Sequence, residues 1–137
     1  MKRKLLTTLT AALLALSAWA AGTEINGIYY ELNSFTKTAS VTYTGSYSYS
    51  GSITIPASVT YDGTTYSVTS IGEGAFIGCF GLTSVTALRT NPEAYNCHYN
   101  AFYDVNSLHV PAGCKKAYEN CRPWSYFSSI IDDAKAK

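Results

Sequence analysis

Charge is scarce in this 137-residue sequence: only 14% of it is Asp, Glu, Lys or Arg, and the formal net charge is +1. No basic stripe is present, which argues against a nucleic-acid partner, because phosphate binding needs clustered Lys and Arg. Carboxylates are sparse, and no spaced pair of them suggests acid–base catalysis. Histidine occurs only as His98 and His109. The possible zinc ligands Cys97, His98, His109, Cys114 and Cys121 include no closely spaced cysteine pair of the kind structural zinc sites use. There is no glycine-rich loop to cradle phosphate; Gly72, Gly74, Gly78 and Gly81 recur as turn and close-approach positions. Cys97-His98 invites a nucleophile reading with His109 and Asp104 as helpers. A cysteine nucleophile needs a histidine oriented beside it, however, and adjacent side chains in a strand or loop point apart. The expectation is a protein without catalytic residues, metal or cofactor.

Long apolar runs are also missing, except at the start. Lys2, Arg3 and Lys4 precede a Leu-, Ala- and Thr-rich run that closes on Ala18-Trp19-Ala20. A basic segment, an apolar segment and a small-x-small site make residues 1–20 a signal peptide, with Ala21 the first mature residue. The apolar part is short of the roughly 20 residues a spanning helix needs, and no cysteine lies near the cleavage site to carry lipid. Removal of this segment takes three positive charges with it and leaves 7 basic against 9 acidic residues. The exported chain is expected to be soluble, with one domain over 21–131 and a frayed tail over 132–137. All 12 tyrosines lie in that part. Their rigid apolar rings and polar tips suit interfaces, and equally suit half-buried strands.

Strand signals dominate what is present. From Ala39 to Ile55 the odd positions are Ala, Val, Tyr, Gly or Ile, and every even position is Ser or Thr. Period two marks a strand with one buried face. Seventeen residues exceed an ordinary strand, so Gly45 and Gly51 are read as bracketing a loop between two antiparallel strands near 39–44 and 52–55. Residues 24–33 supply a further strand before them. In Ser58–Thr69, Asp62-Gly63 between β-formers predicts a tight hairpin. Half of the residues from 34 to 70 are Ser or Thr, 18 of 37. The strict alternation argues for strands there and against disorder.

The chain also repeats itself. Ala75-Phe76 returns as Ala101-Phe102 and Leu82 as Leu108, with Cys79 opposite Val105. A shorter phrase recurs as Ser52-Ile53-Thr54-Ile55-Pro56, Ser84-Val85-Thr86-Ala87-Leu88 and Ser107-Leu108-His109-Val110-Pro111. The last two copies are 23 residues apart, and the longer first gap becomes the same once the hairpin at 58–69 is treated as an insertion. That period lies in the range of leucine-rich repeats, in which each unit gives one short strand and a tighter turn.

The residues Ser70-Ile71-Gly72, Ala75-Phe76, Gly78-Cys79, Gly81-Leu82 and Thr83-Ser84-Val85 resemble the repeat of the bacterial surface leucine-rich-repeat proteins called BspA-like. Residues 51–66 resemble that family's leading hairpins, and 108–130 its closing segment. The resemblance implies a mainly β fold: strands and hairpins over 21–66, a minimal stack of one full and one degenerate unit over 67–110, and a C-terminal cap over 111–131. Within the cap, Pro111 starts and Pro123 ends a helix over about 112–121, with Cys114, Ala117, Tyr118 and Cys121 on one face. Trp124, Phe127, Ile130 and Ile131 cover the last repeat.

Four cysteines in an exported chain suggest disulfides. Cys79, aligned with a valine, reads as a buried thiol. Cys114 and Cys121 would stand about 10.5 Å apart along a helix, beyond the roughly 7 Å limit for bridging. One bridge from Cys97 to Cys114 or Cys121 is expected, the alternative being four thiols. By function, the resemblance implies a non-catalytic protein-binding or adhesion-type module with a partner on a host or neighbouring cell. The alternative is a structural, self-assembling secreted component. The candidate binding surface is Thr54, Thr86 and His109 on the strands, with Tyr95, Tyr99 and Tyr103 on the connecting segment.

Overall fold

A computed structural model describes residues 22–43, 49–102 and 105–134. The expected signal segment, Tyr103 and Asp104 lie outside the described residues. The chain begins with a hairpin of β1 (Thr23–Ile25) and β2 (Ile28–Asn33). The single strand expected over 24–33 is therefore two. Asn26 and Gly27 break it because both adopt positive φ, 51° and 84°, the geometry of a two-residue hairpin turn. β2 pairs antiparallel with β3 (Thr38–Thr42).

The expected antiparallel pairing of 39–44 with 52–55 does not form. β4 (Gly51–Ile55) belongs to a different sheet from β3. Alternation reports which residues face the core, and both strands do alternate, but it carries no information on which neighbour each one pairs with. The hairpin of β5 (Ser58–Tyr61) and β6 (Thr64–Ile71) forms as expected, with Asp62 at φ 49° and Gly63 at φ 73°. β7 (Leu82–Ala87), the two-residue β8 (Asn96–Cys97), β9 (Ser107–Pro111), a one-turn helix α1 (Lys115–Glu119) and β10 (Ser129–Ala134) complete the chain.

These strands build a stack with two walls. One wall is a six-stranded sheet in which β3, β6 and β8 run parallel, with β2 and β1 added beyond β3 and β5 beside β6. The other is a four-stranded, all-parallel sheet in the order β10-β9-β7-β4. The chain winds from one wall to the other and back, β3 to β4, β6 to β7, β8 to β9. The short phrase read from the sequence is the register of the second wall: Ser52 lies opposite Ser84 and Ser84 opposite Ser107. Val85, and not Leu82, therefore stands opposite Leu108.

The core lies between the walls. From the second wall Ile55, Val85, Ala87, Leu108 and Val110 are fully buried, and from the first Val41, Val68, Ile71 and Tyr30. At the turns between walls an aromatic ladder climbs the stack: Tyr49 to Phe76 at 5.0 Å between ring centroids, Phe76 to Phe102 at 4.9 Å, Phe102 to Phe127 at 5.0 Å. Ala75 and Ala101 are buried beside it, and the Phe76 N–H donates to the Ala101 carbonyl at 2.9 Å. The second phenylalanine phrase repeats because its ring stacks on the first. Gly81 permits close passage of neighbouring turns, since a Cβ there would lie 3.1 Å from the Ser50 Cβ.

The closing segment does more than cap. Pro111 ends β9, and the helix spans only 115–119, with Ala117 exposed and Tyr118 its one buried residue. Residues 129–134 form a fourth rung of the parallel wall: Ser129 opposite Ser107, Ile130 opposite Leu108. Asp132 to Ala134, expected in a frayed tail, belong to this strand. The ladder from β9 supplies the backbone pairing that holds them. Trp124 is fully buried against Tyr95, Phe102 and Tyr118, although its indole N–H has no partner among the described residues.

Candidate functional site: the outer face of the parallel sheet

Alternation in β4, β7, β9 and β10 sends Ile53, Val85, Leu108 and Ile130 toward the core and leaves their neighbours on the outer face. Two rows of side chains result. The first is Ser52, Ser84, Ser107 and Ser129; the second is Thr54, Thr86, His109 and Ile131. The three strand residues singled out in the sequence thus share one row. All eight are exposed or half-buried. Adjacent members of a row are about 4.8 Å apart, and the two rows are separated by about 6.7 Å along the strands.

Hydrogen bonds fix this face. Ser52 Oγ and Ser84 Oγ lie 2.7 Å apart. The Thr83 hydroxyl donates to the Gly51 carbonyl at 3.0 Å, and the Ser107 hydroxyl to the Thr83 carbonyl at 3.3 Å. His109 Nδ1 is 2.7 Å from Asp133 Oδ1, an imidazole–carboxylate pair at the β10 end of the second row. The two rows are rich in hydroxyls and carry little charge. Their serine and threonine hydroxyls can both donate and accept hydrogen bonds at the surface.

The tyrosine candidates separate. Tyr95 is not a surface residue: it is 2% exposed, its hydroxyl donates to the Ile55 and Pro56 carbonyls at 2.9 and 3.0 Å, and the Arg89 guanidinium lies 5.4 Å above its ring. Burial of a tyrosine needs a hydroxyl acceptor, and two backbone carbonyls supply it. Tyr99 is 72% exposed. With Ile77, Asn100 and Tyr126 it rims a groove of about 610 Å³ on the side of the stack where the phenylalanine ladder lies. Tyr103 lies outside the described residues.

All four cysteines are thiols in the structure. Cys79 is buried, and burial raises its pKa. Burial pushes Cys97 up to about 12, and of the two partners named for it Cys121 adds to that shift. Cys97 Sγ contacts the His98 carbonyl and not the His98 ring, whose Nδ1 is engaged with Asn100 Oδ1. Among the described residues no three of His, Cys, Asp and Glu gather as metal ligands. No described helix is long and apolar enough to cross a membrane.

Sequence reasoning missed Arg89, whose guanidinium donates to the Val68 and Ala57 carbonyls, both at 3.0 Å, and ties the β5–β6 hairpin to the stack. Nothing in the spacing pointed to it. The fourth rung did leave a signal: Ser129-Ile130 follows Ser107-Leu108 at nearly the repeat period.

No protein-family model matches this chain, and no curated protein does. Among solved structures, the chain is similar to a leucine rich cell surface protein from Faecalibacterium prausnitzii A2-165, with 28% identity and a TM-score of 0.49. That match covers 64% of this chain and 23% of the other, so the chain spans about a quarter of that protein's length.

Proposed function

We propose that this chain is an exported, non-catalytic protein-binding module of the BspA-like surface-repeat kind, working through the outer face of its parallel sheet. One observation carries the reading. Thr54, Thr86 and His109 come from segments distant in sequence, yet stand in one row on the outer face beside a second row of serines. Stacked repeats produce such extended faces, and repeat proteins use them to bind. The scarcity of charge favours contact by hydrogen bonds and shape over long-range attraction. The partner is a protein of a host or neighbouring cell surface. The test is affinity capture from matrix or cell-surface extracts with the protein and with a Thr86→Arg variant, in which a long cation interrupts the row. Partners retained by the first and lost by the second support the reading; equal retention by both overturns it.

A further inference from the structure

The parallel wall has two ends, and they differ. At the β10 end the strand carries exposed Asp132 and Asp133, and its register shifts there. Charges and irregularities of this kind blunt a sheet edge against further pairing. The β4 end is less protected: its register shift is confined to Gly51/Ser52, at the start of the strand, and Gly51-Ser52-Ile53-Thr54-Ile55 has no charge and no proline. In the six-stranded wall the corresponding end is extended, because β2 and β1 lie beyond β3. Beyond β4 no strand is added among the described residues.

The backbone of β4 shows which groups remain open. The Gly51 N–H donates to the Gly81 carbonyl, and the Ile55 carbonyl accepts from the Leu88 N–H, so residues 51 and 55 turn their backbone groups toward β7. Alternation then directs the N–H and C=O of Ser52 and Thr54 to the free edge. The same edge leaves Ile53 half-buried, whereas its row-mates Val85 and Leu108 are 0% exposed and Ile130 is 7% exposed. A groove of about 870 Å³ runs along it, between β4 and the β1–β2 turn, with Ile25, Ile28, Ile53 and Val59 as apolar lining. No charged side chain is among the described lining residues.

We infer that the free edge of β4 is a strand-addition site for an extended, uncharged segment of a partner polypeptide in which apolar residues alternate with Ser or Thr. Such a segment pairs its backbone with Ser52 and Thr54, and its apolar side chains enter the groove over Ile53. This is the chemistry of the chain's own rungs, and β7 already satisfies the other edge of β4 in this way. A charged segment would lose hydration in the groove without finding a counter-charge. Main-chain pairing supplies affinity in strand addition, and alternate side chains supply selectivity. The site is the edge of the sheet and stands independently of the outer-face reading above.

The probe is a synthetic peptide copying Gly81 to Leu88, the segment that contains β7. Amide hydrogen exchange of the protein is followed by NMR as the peptide is added. Saturable slowing at Ser52 and Thr54, with β10 unchanged, is the expected result. Thr54→Pro should abolish it, since the Thr54 N–H faces the free edge and its loss leaves the ladder to β7 complete. Thr54→Lys, which puts a charge on the edge, serves as a second variant should the proline variant not fold. No slowing at Ser52 and Thr54, or slowing at β10 in their place, overturns the proposal. So does slowing without peptide that grows with protein concentration while sedimentation shows a dimer, because the occupant is then a second copy.

Discussion

The rings of Phe76 and Phe102 lie parallel, 6° apart in plane, with centroids 4.9 Å from one another. They are the second and third steps of a ladder that Tyr49 begins and Phe127 ends, one aromatic for each turn of the stack. Phe76 is 0% exposed. Truncation of a buried phenylalanine forfeits transfer free energy and leaves a cavity. Phe76→Ala should destabilise the protein by about 3–5 kcal/mol. Phe80→Ala, four residues on at an 89% exposed position, should change stability by about 0.5 kcal/mol or less. Urea unfolding of the two variants checks the contrast.

The fourth rung makes a similar claim about the C-terminus. Ile130 is 7% exposed in the ladder with β9, and its neighbour Ile131 is 38% exposed on the outer face. Ile130→Ala should cost about 2–5 kcal/mol, and Ile131→Ala about 0.5 kcal/mol or less. Equal small effects in thermal or urea melts would mean that β10 contributes nothing to the stack.

Buried tyrosines set an alkaline limit. Burial pushes Tyr49 and Tyr95 from the ordinary value of 10.0 up to about 12, and raises Tyr30 and Tyr118 as well. These groups hold their protons more tightly folded than unfolded. Their stabilisation is therefore complete below pH 10, the unfolded value, and is lost as pH rises through the folded values. The melting temperature should fall steeply between pH 10 and about pH 12. Tyrosinate absorbance from these residues should appear together with unfolding, not before it.

Cysteine reactivity follows burial. Thiolate is the reactive form, and the Cys97 thiol is pushed up to about 12. In the reduced, native protein Cys97 should alkylate far more slowly at neutral pH than in the protein unfolded in urea. Peptide mapping after timed alkylation reads this directly. The same experiment without prior reduction shows whether Cys97 and Cys121 have joined in an oxidising compartment, as a bridge found between those two peptides.

The sequence revealed the parallel wall best. The serine at the head of each rung and the alternation after it recur at a nearly constant interval, and both are consequences of stacking. It revealed less where one pattern serves two structures. The run from Ala39 to Ile55 alternates throughout, yet passes from one wall to the other, because period two encodes a buried face and not a neighbour. Asn26-Gly27 is a strong hairpin signal that the surrounding strand-like residues obscured. Apolar bulk at Phe127, Ile130 and Ile131 fits a cap as well as a rung, and only the spacing of Ser129 from Ser107 distinguishes them. Thr54, Thr86 and His109 could be placed on a common face because strand period and repeat period together determine it. Tyr95 could not, since the carbonyls that receive its hydroxyl belong to residues about 40 positions away.

We propose the outer face of the parallel sheet as the working surface. Quantitative mass spectrometry of proteins captured from cell-surface and matrix extracts tests it most directly. The protein is compared with Thr86→Arg and His109→Ala variants that melt at the same temperature. A set of proteins retained by the unaltered chain and depleted by both variants is the expected result. The same proteins recovered in equal amounts by all three would contradict it.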